Sequence, residues 1–256
     1  MLLAVDVGNT NMVLGLFDGA RLLGCWRLHT DPRITTDELT LQVESLLRMG
    51  GFSFENIQGM AVACVVPPLL HPLTRFAERH LDLTPLIVSP GTKTGMPILI
   101  DNPKELGADL IVNAVAAKEK YGAPVIVVDF GTATTFSAVS PKGQYMGGVI
   151  APGIKMALDG LFLQTAKLPK VEIVQPSSII GKNTVTAIQS GIFYGFVGLT
   201  REIIQRLKKE MKVSCPVVAT GGLSGLIAPQ ISEINFLEPQ LTLEGLRLIF
   251  ERNQKK

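Results

Sequence analysis

The chain repeats itself once. LLAVDVGNTNMVLGLFDG, starting at Leu2, is echoed by VIVVDFGTATTFSAVSPKG, starting at Val125. Each copy opens with a short apolar, β-rich run that reaches Asp-x-Gly. Small hydroxyl or amide residues follow, then a second β-like run, then a glycine turn at Asp18-Gly19 or Lys142-Gly143. Asp-x-Gly after a strand is by itself a common turn. The matched downstream turn is what argues for duplication. Two copies about half a chain apart predict two related lobes, each opening with an antiparallel hairpin. They do not fit a solenoid, whose repeats are about 20–50 residues.

The remaining pattern fills in an α/β fold. Leu39, Val43, Leu46 and Leu47 make Thr36 to Met49 an amphipathic helix ended by Gly50-Gly51. Asn102 followed by Pro103 reads as a cap and first helical residue, predicting one helix that runs to Tyr121 and joins the halves. Thr184 to Lys212 is helix-compatible, in one or two pieces, and Leu241 to Arg252 is a closing helix. PVVATGG is a strand entering a glycine turn. Strands and helices in this order predict two ribonuclease-H-like lobes with mixed sheets: 1–115 with the first Asp-x-Gly turn, and 116–256 with the second and the Gly221-Gly222 turn. With 46% hydrophobic and 18% charged residues, a large core is available and disorder is excluded. A net charge of +2 gives no electrostatic case for nucleic acid or an anionic membrane. There is no apolar run of about 18 residues to span a bilayer. The three scattered cysteines form neither a disulfide framework nor a zinc pattern. A cytoplasmic location is expected.

Chemistry concentrates at the turns. Asp6-Val7-Gly8-Asn9-Thr10-Asn11 places a carboxylate at a strand end, followed by glycine. Successive backbone N–H groups with Thr and Asn side chains can cradle phosphate oxygens, and the carboxylate can hold Mg²⁺ directly or through water. Asp129-Phe130-Gly131-Thr132 repeats the arrangement, and two such turns facing each other would clamp a polyphosphate from both sides. Thr220-Gly221-Gly222-Leu223 offers bare backbone to a base and ribose. Neither a P-loop nor GxGxxG is present. Asp109, in GADLIVNAVAA, is an acid among apolar residues. With Glu105 and Asn113 it forms an i, i+4, i+8 stripe that could face water or line a cleft.

DVGNTN, GAD on a helix, DFGTATTF and ATGG, in that order, resemble the type III pantothenate kinases of the actin/Hsp70/sugar-kinase superfamily. The resemblance covers essentially the whole chain. It implies ATP bound between two lobes, and phosphorylation of pantothenate to 4′-phosphopantothenate, the first step of coenzyme A biosynthesis. It implies that Asp6, Val7, Gly8, Asn9, Thr10, Asn11, Met12 and Val13 form the first phosphate loop, with Asp6 organising Mg²⁺. Thr132 matches the second phosphate loop, and Gly221 with Gly222 the adenosine turn. Asp129 matches the carboxylate that binds a monovalent cation, K⁺ or NH₄⁺. Gly107, Ala108, Asp109 and Leu110 match the pantothenate-binding stretch, with Asp109 as general base, and Thr184 matches a further pantothenate contact. A homodimer is implied. The family usually reads GADR where this chain has Leu110, and some members carry Tyr at the position of Ile100. The alternative from another class is a catalytically weak or inactive nucleotide-binding regulatory homologue.

Overall fold

The computed structural model describes residues 1–89, 91–165 and 168–254. The first half builds β1 (Leu2–Val7), β2 (Asn11–Asp18), β3 (Arg21–His29), α1 (Thr36–Met49), β4 (Gly59–Cys64), α2 (Leu70–Phe76), β5 (Leu86–Ile87) and α3 (Ala108–Tyr121). The second builds β6 (Val125–Phe130), β7 (Ala133–Val139), β8 (Tyr145–Pro152), α4 (Ile154–Leu163), α5 (Thr184–Met211), β9 (Val217–Thr220), α6 (Ser224–Ile227), β10 (Phe236–Leu237) and α7 (Leu241–Gln254).

The duplication is visible in the sheets. One has the order β3-β2-β1-β4-β5 and the other β8-β7-β6-β9-β10, so the two follow one plan. In both, the opening hairpin is antiparallel and the fourth strand returns parallel to the first. β1 and β6 also share a burial pattern: four buried residues, a half-buried Asp, a buried residue. Because side chains alternate along a strand, Leu3, Val5 and Val7 face the apolar core under α1 and α2, and Asp6 faces the other way. Likewise Ile126, Val128 and Phe130 enter the second core with Phe193 and Phe196 of α5, leaving Asp129 on the opposite face.

The chain forms two compact units. The first comprises 1–96, 101–116 and 241–256, and the second 97–100 and 117–240. α7, last in sequence, thus groups by contact with the first unit, where it packs on β1, β2 and β4.

Two sequence expectations change. The helix expected from Asn102 to Tyr121 is interrupted. Asn102 does cap, its side chain accepting from the Lys104 N–H at 3.3 Å, but what it caps is a 3₁₀ turn, Pro103–Glu105. Leu106, only 8% exposed, lies in the break before α3. The stripe of Glu105, Asp109 and Asn113 is therefore not one helical face. Glu105 accepts from the Asn102 amide at 2.7 Å, and Asn113 is buried, accepting from Thr242 Oγ1 of α7 at 2.8 Å. The helix expected from Thr184 forms as one continuous piece, Thr184–Met211, of 28 residues.

Candidate functional site

Asp6 is the penultimate residue of β1, opposite Val13 on β2 and Ala63 on β4. The turn that follows is closed by the Gly8 N–H donating to the Asn11 carbonyl at 3.0 Å. Val7 and Met12 are buried in the apolar core, so any ligand contact they make runs through backbone. Asn9 and Thr10 are exposed at the tip.

Asp129 occupies the same place in the second unit, opposite Thr135 on β7 and Thr220 on β9. Its pairing with Thr220 brings the glycine turn after β9 onto its carboxylate. Gly221 has φ +93°, and a β-carbon there would collide with Asp129 Oδ1 and the Phe130 backbone. A β-carbon on Gly131 would lie 3.3 Å from the same oxygen. Asp129 is thus bracketed by two side-chain-free stretches of backbone. Ser224 Oγ donates to the Gly221 carbonyl at 2.6 Å and fixes the turn; Gly222 beside it is exposed. Thr132 is exposed on the second loop. Gly153, the N-cap of α4, packs so tightly on the Thr132 carbonyl that no side chain fits there. The sequence reading missed α4 and its position; the Pro152-Gly153 pair after a strand was the available signal.

Asp109 sits in the first turn of α3. Its Oδ1 accepts from the Leu110 N–H at 2.9 Å. Gly107 makes this possible, since a β-carbon at that position would crowd the same oxygen. Burial raises the Asp109 pKa above the ordinary aspartate value, and the backbone hydrogen bonds only partly oppose this. Asp109 is half-buried, and a carboxyl with a raised pKa accepts a proton more readily than a fully solvated one.

Thr184 is the first residue of α5. Asn183 before it caps the helix reciprocally: its side chain accepts from the Thr186 N–H at 2.9 Å, and Thr186 Oγ1 accepts from the Asn183 N–H at 3.3 Å. Thr184 lines a cavity of about 760 Å³ with Lys182, Ala187, Ile188 and Leu161. The second unit thus brings Asp129, Gly131 and Gly221 into contact and positions Thr184. The first unit holds the Asp6 turn and the Gly107 to Leu110 stretch. Among the described residues, no group of three or more His, Cys, Asp or Glu side chains could hold a metal, and no helix is long and apolar enough to cross a membrane.

Two sheets of one strand order, each with an acid at the end of its central strand and a small-residue turn beyond, define a two-lobed α/β protein of the actin and sugar-kinase fold. In agreement, a candidate N-acetylglucosamine kinase from Porphyromonas gingivalis superposes with a TM-score of 0.55 over 100% of both chains at 13% identity. The sequence family model for type III pantothenate kinase matches residues 2–206. Proteins named type III pantothenate kinase are 52% identical in Geobacter sulfurreducens, over 100% of both chains, and 54% identical in Moorella thermoacetica, over 99% of this chain and 100% of the relative. The chain belongs to the type III pantothenate kinase family.

Proposed function

We propose that this enzyme is an ATP-dependent pantothenate kinase that forms 4′-phosphopantothenate, the first step of coenzyme A biosynthesis. What supports this reading is the family match over residues 2–206, together with Asp109, half-buried in the first turn of α3 with its pKa raised, in a chain with two duplicated Asp-x-Gly turns. The oxygen of pantothenate's primary hydroxyl attacks the γ-phosphorus of ATP. The new O–P bond forms as the bond to the β-phosphate bridging oxygen breaks, and ADP leaves with that electron pair. Asp109 takes the hydroxyl proton. Positioning and charge stabilisation supply most of the rate in phosphoryl transfer.

In this reading Asp6 to Val13 and Thr132 contact the ATP phosphates, aided by the positive end of α4 behind Thr132. Gly221 and Gly222 accept the adenosine, and Gly107 to Leu110 with Thr184 bind pantothenate. Mg²⁺ suits a single carboxylate plus phosphates and water, and Asp6 offers that carboxylate; the ion neutralises phosphate charge when bound. Asp129, with backbone close on two sides, suits a large, weakly hydrated K⁺ or NH₄⁺. Apolar side chains left exposed on the second unit, among them Ile150, Leu163 and Ile180 at 72–75%, support a homodimer. The absence of a disulfide framework supports a cytoplasmic enzyme. With relatives at 52% and 54% identity named as kinases, the regulatory alternative is not favoured.

Asp109→Asn tests the reading. Turnover of ATP and pantothenate should fall by about 10²–10⁴-fold, the usual worth of a general base, with ATP binding nearly unchanged. In the parent enzyme kcat/KM should decline toward acid with an apparent pKa above that of a free aspartate. Near-wild-type turnover in the variant removes Asp109 from the mechanism.

A further inference from the structure

Thr30 belongs to none of the motifs above, yet it is tied twice to the Asp6 turn. It lies one residue beyond β3 and is only 4% exposed. Its Oγ1 donates to the Gly8 carbonyl at 2.7 Å, and its backbone N–H donates to the Thr10 carbonyl at 3.1 Å. A trans peptide sends its C=O and the following N–H to opposite sides. Drawing the Gly8 and Thr10 carbonyls toward Thr30 therefore turns the N–H groups of Asn9 and Asn11 away from it. Were the Gly8–Asn9 peptide to flip, the turn would offer an anion a carbonyl oxygen in place of a donor. Glycine is the residue that resists such a flip least. The buried hydroxyl of Thr30 holds the peptide in one orientation.

We propose that Thr30 is a positioning residue for phosphoryl transfer, fixing the Gly8 to Thr10 turn so that the Asn9 and Asn11 N–H groups face the ATP phosphates. This rests on the reading of that turn as the first phosphate loop.

Thr30→Val keeps the backbone bond to Thr10 and removes only the hydroxyl, whereas Thr30→Ser restores it. The expected result is an ATP KM raised by about 10-fold in Thr30→Val, the worth of one buried hydrogen bond, with the pantothenate KM unchanged. Thr30→Ser should lie within about 3-fold of wild type on the same scale. If valine is not tolerated by the fold, Thr30→Ala replaces it, and ATP affinity should again follow the hydroxyl. Asp6→Asn, measured alongside, tests the underlying reading and should weaken nucleotide binding or turnover at least 10-fold. A silent Asp6→Asn overturns both. If Asp6→Asn is impaired but Thr30→Val lowers only the melting temperature, or Thr30→Ser fails to recover ATP affinity, the role assigned to Thr30 alone is wrong.

Discussion

If Asp109 is the general base proposed above, catalysis and stability pull in opposite directions there. Burial lifts its pKa in the folded protein above the ordinary 3.8, the value expected in the unfolded chain. Between the two values the folded protein keeps a proton that the unfolded chain has released. Stability therefore falls as pH rises through that window, and above it the cost of burying the charge is fully present. Asp109→Asn removes that cost while its side-chain oxygen can still accept from the Leu110 N–H. At neutral pH the variant should melt above wild type, and the gain should fade as pH drops below the ordinary aspartate value. A lower melting temperature at neutral pH would show that the carboxylate is compensated. Thr134 poses a related question. It is fully buried, and its hydroxyl has no hydrogen-bond partner among the described residues. Replacing an unpaired buried hydroxyl by a methyl of the same shape is neutral or stabilising. Thr134→Val should thus hold or raise the urea midpoint, and a loss of more than about 1 kcal/mol would reveal a partner. Asp109 was legible in the sequence because an acid amid apolar residues stands out. Thr30 was not, since one threonine among many gains meaning only from which carbonyls it reaches.

The turn after β9 carries its own test. Gly221 at φ +93° is in a region that side chains rarely adopt, and a β-carbon there would collide with Asp129. Gly221→Ala should cost about 1–3 kcal/mol of stability and displace the Asp129 carboxylate. If that carboxylate binds a monovalent cation, wild type should run faster in K⁺ or NH₄⁺ than in Na⁺. A small ion surrenders its water less readily to protein oxygens. Asp129→Ala should flatten this preference, and equal rates in Na⁺ and K⁺ for wild type would sink the assignment. Elements with a strong period, such as α1 and α7, were legible, as were the two hairpins. The break at Leu106-Gly107 was not. Asn-Pro can start a 3₁₀ turn as well as an α-helix, and nothing in the local pattern separates the two. β10 is two residues long and has too little pattern to detect.

The sequence echo had a whole-molecule counterpart, one strand order used twice. What the echo could not carry was the grouping of α7, which depends on contacts remote in sequence. If the exposed apolar side chains of the second unit are covered by a second copy, Ile180→Asp should shift the protein from dimer to monomer in sedimentation. A monomeric wild type at micromolar concentration would argue against that pairing.

The grouping of α7 also orders events during synthesis. The second unit lies within residues 97–240, so all of it has been translated while α7 is still being made. Sheet β3-β2-β1-β4-β5, although translated first, must wait for Leu241–Gln254 before α7 can cover it. Since domains fold as units and exposed apolar surface invites aggregation, the earliest-made strands are the longest unprotected. A stop codon just before Leu241 would therefore do its damage in the strands made first.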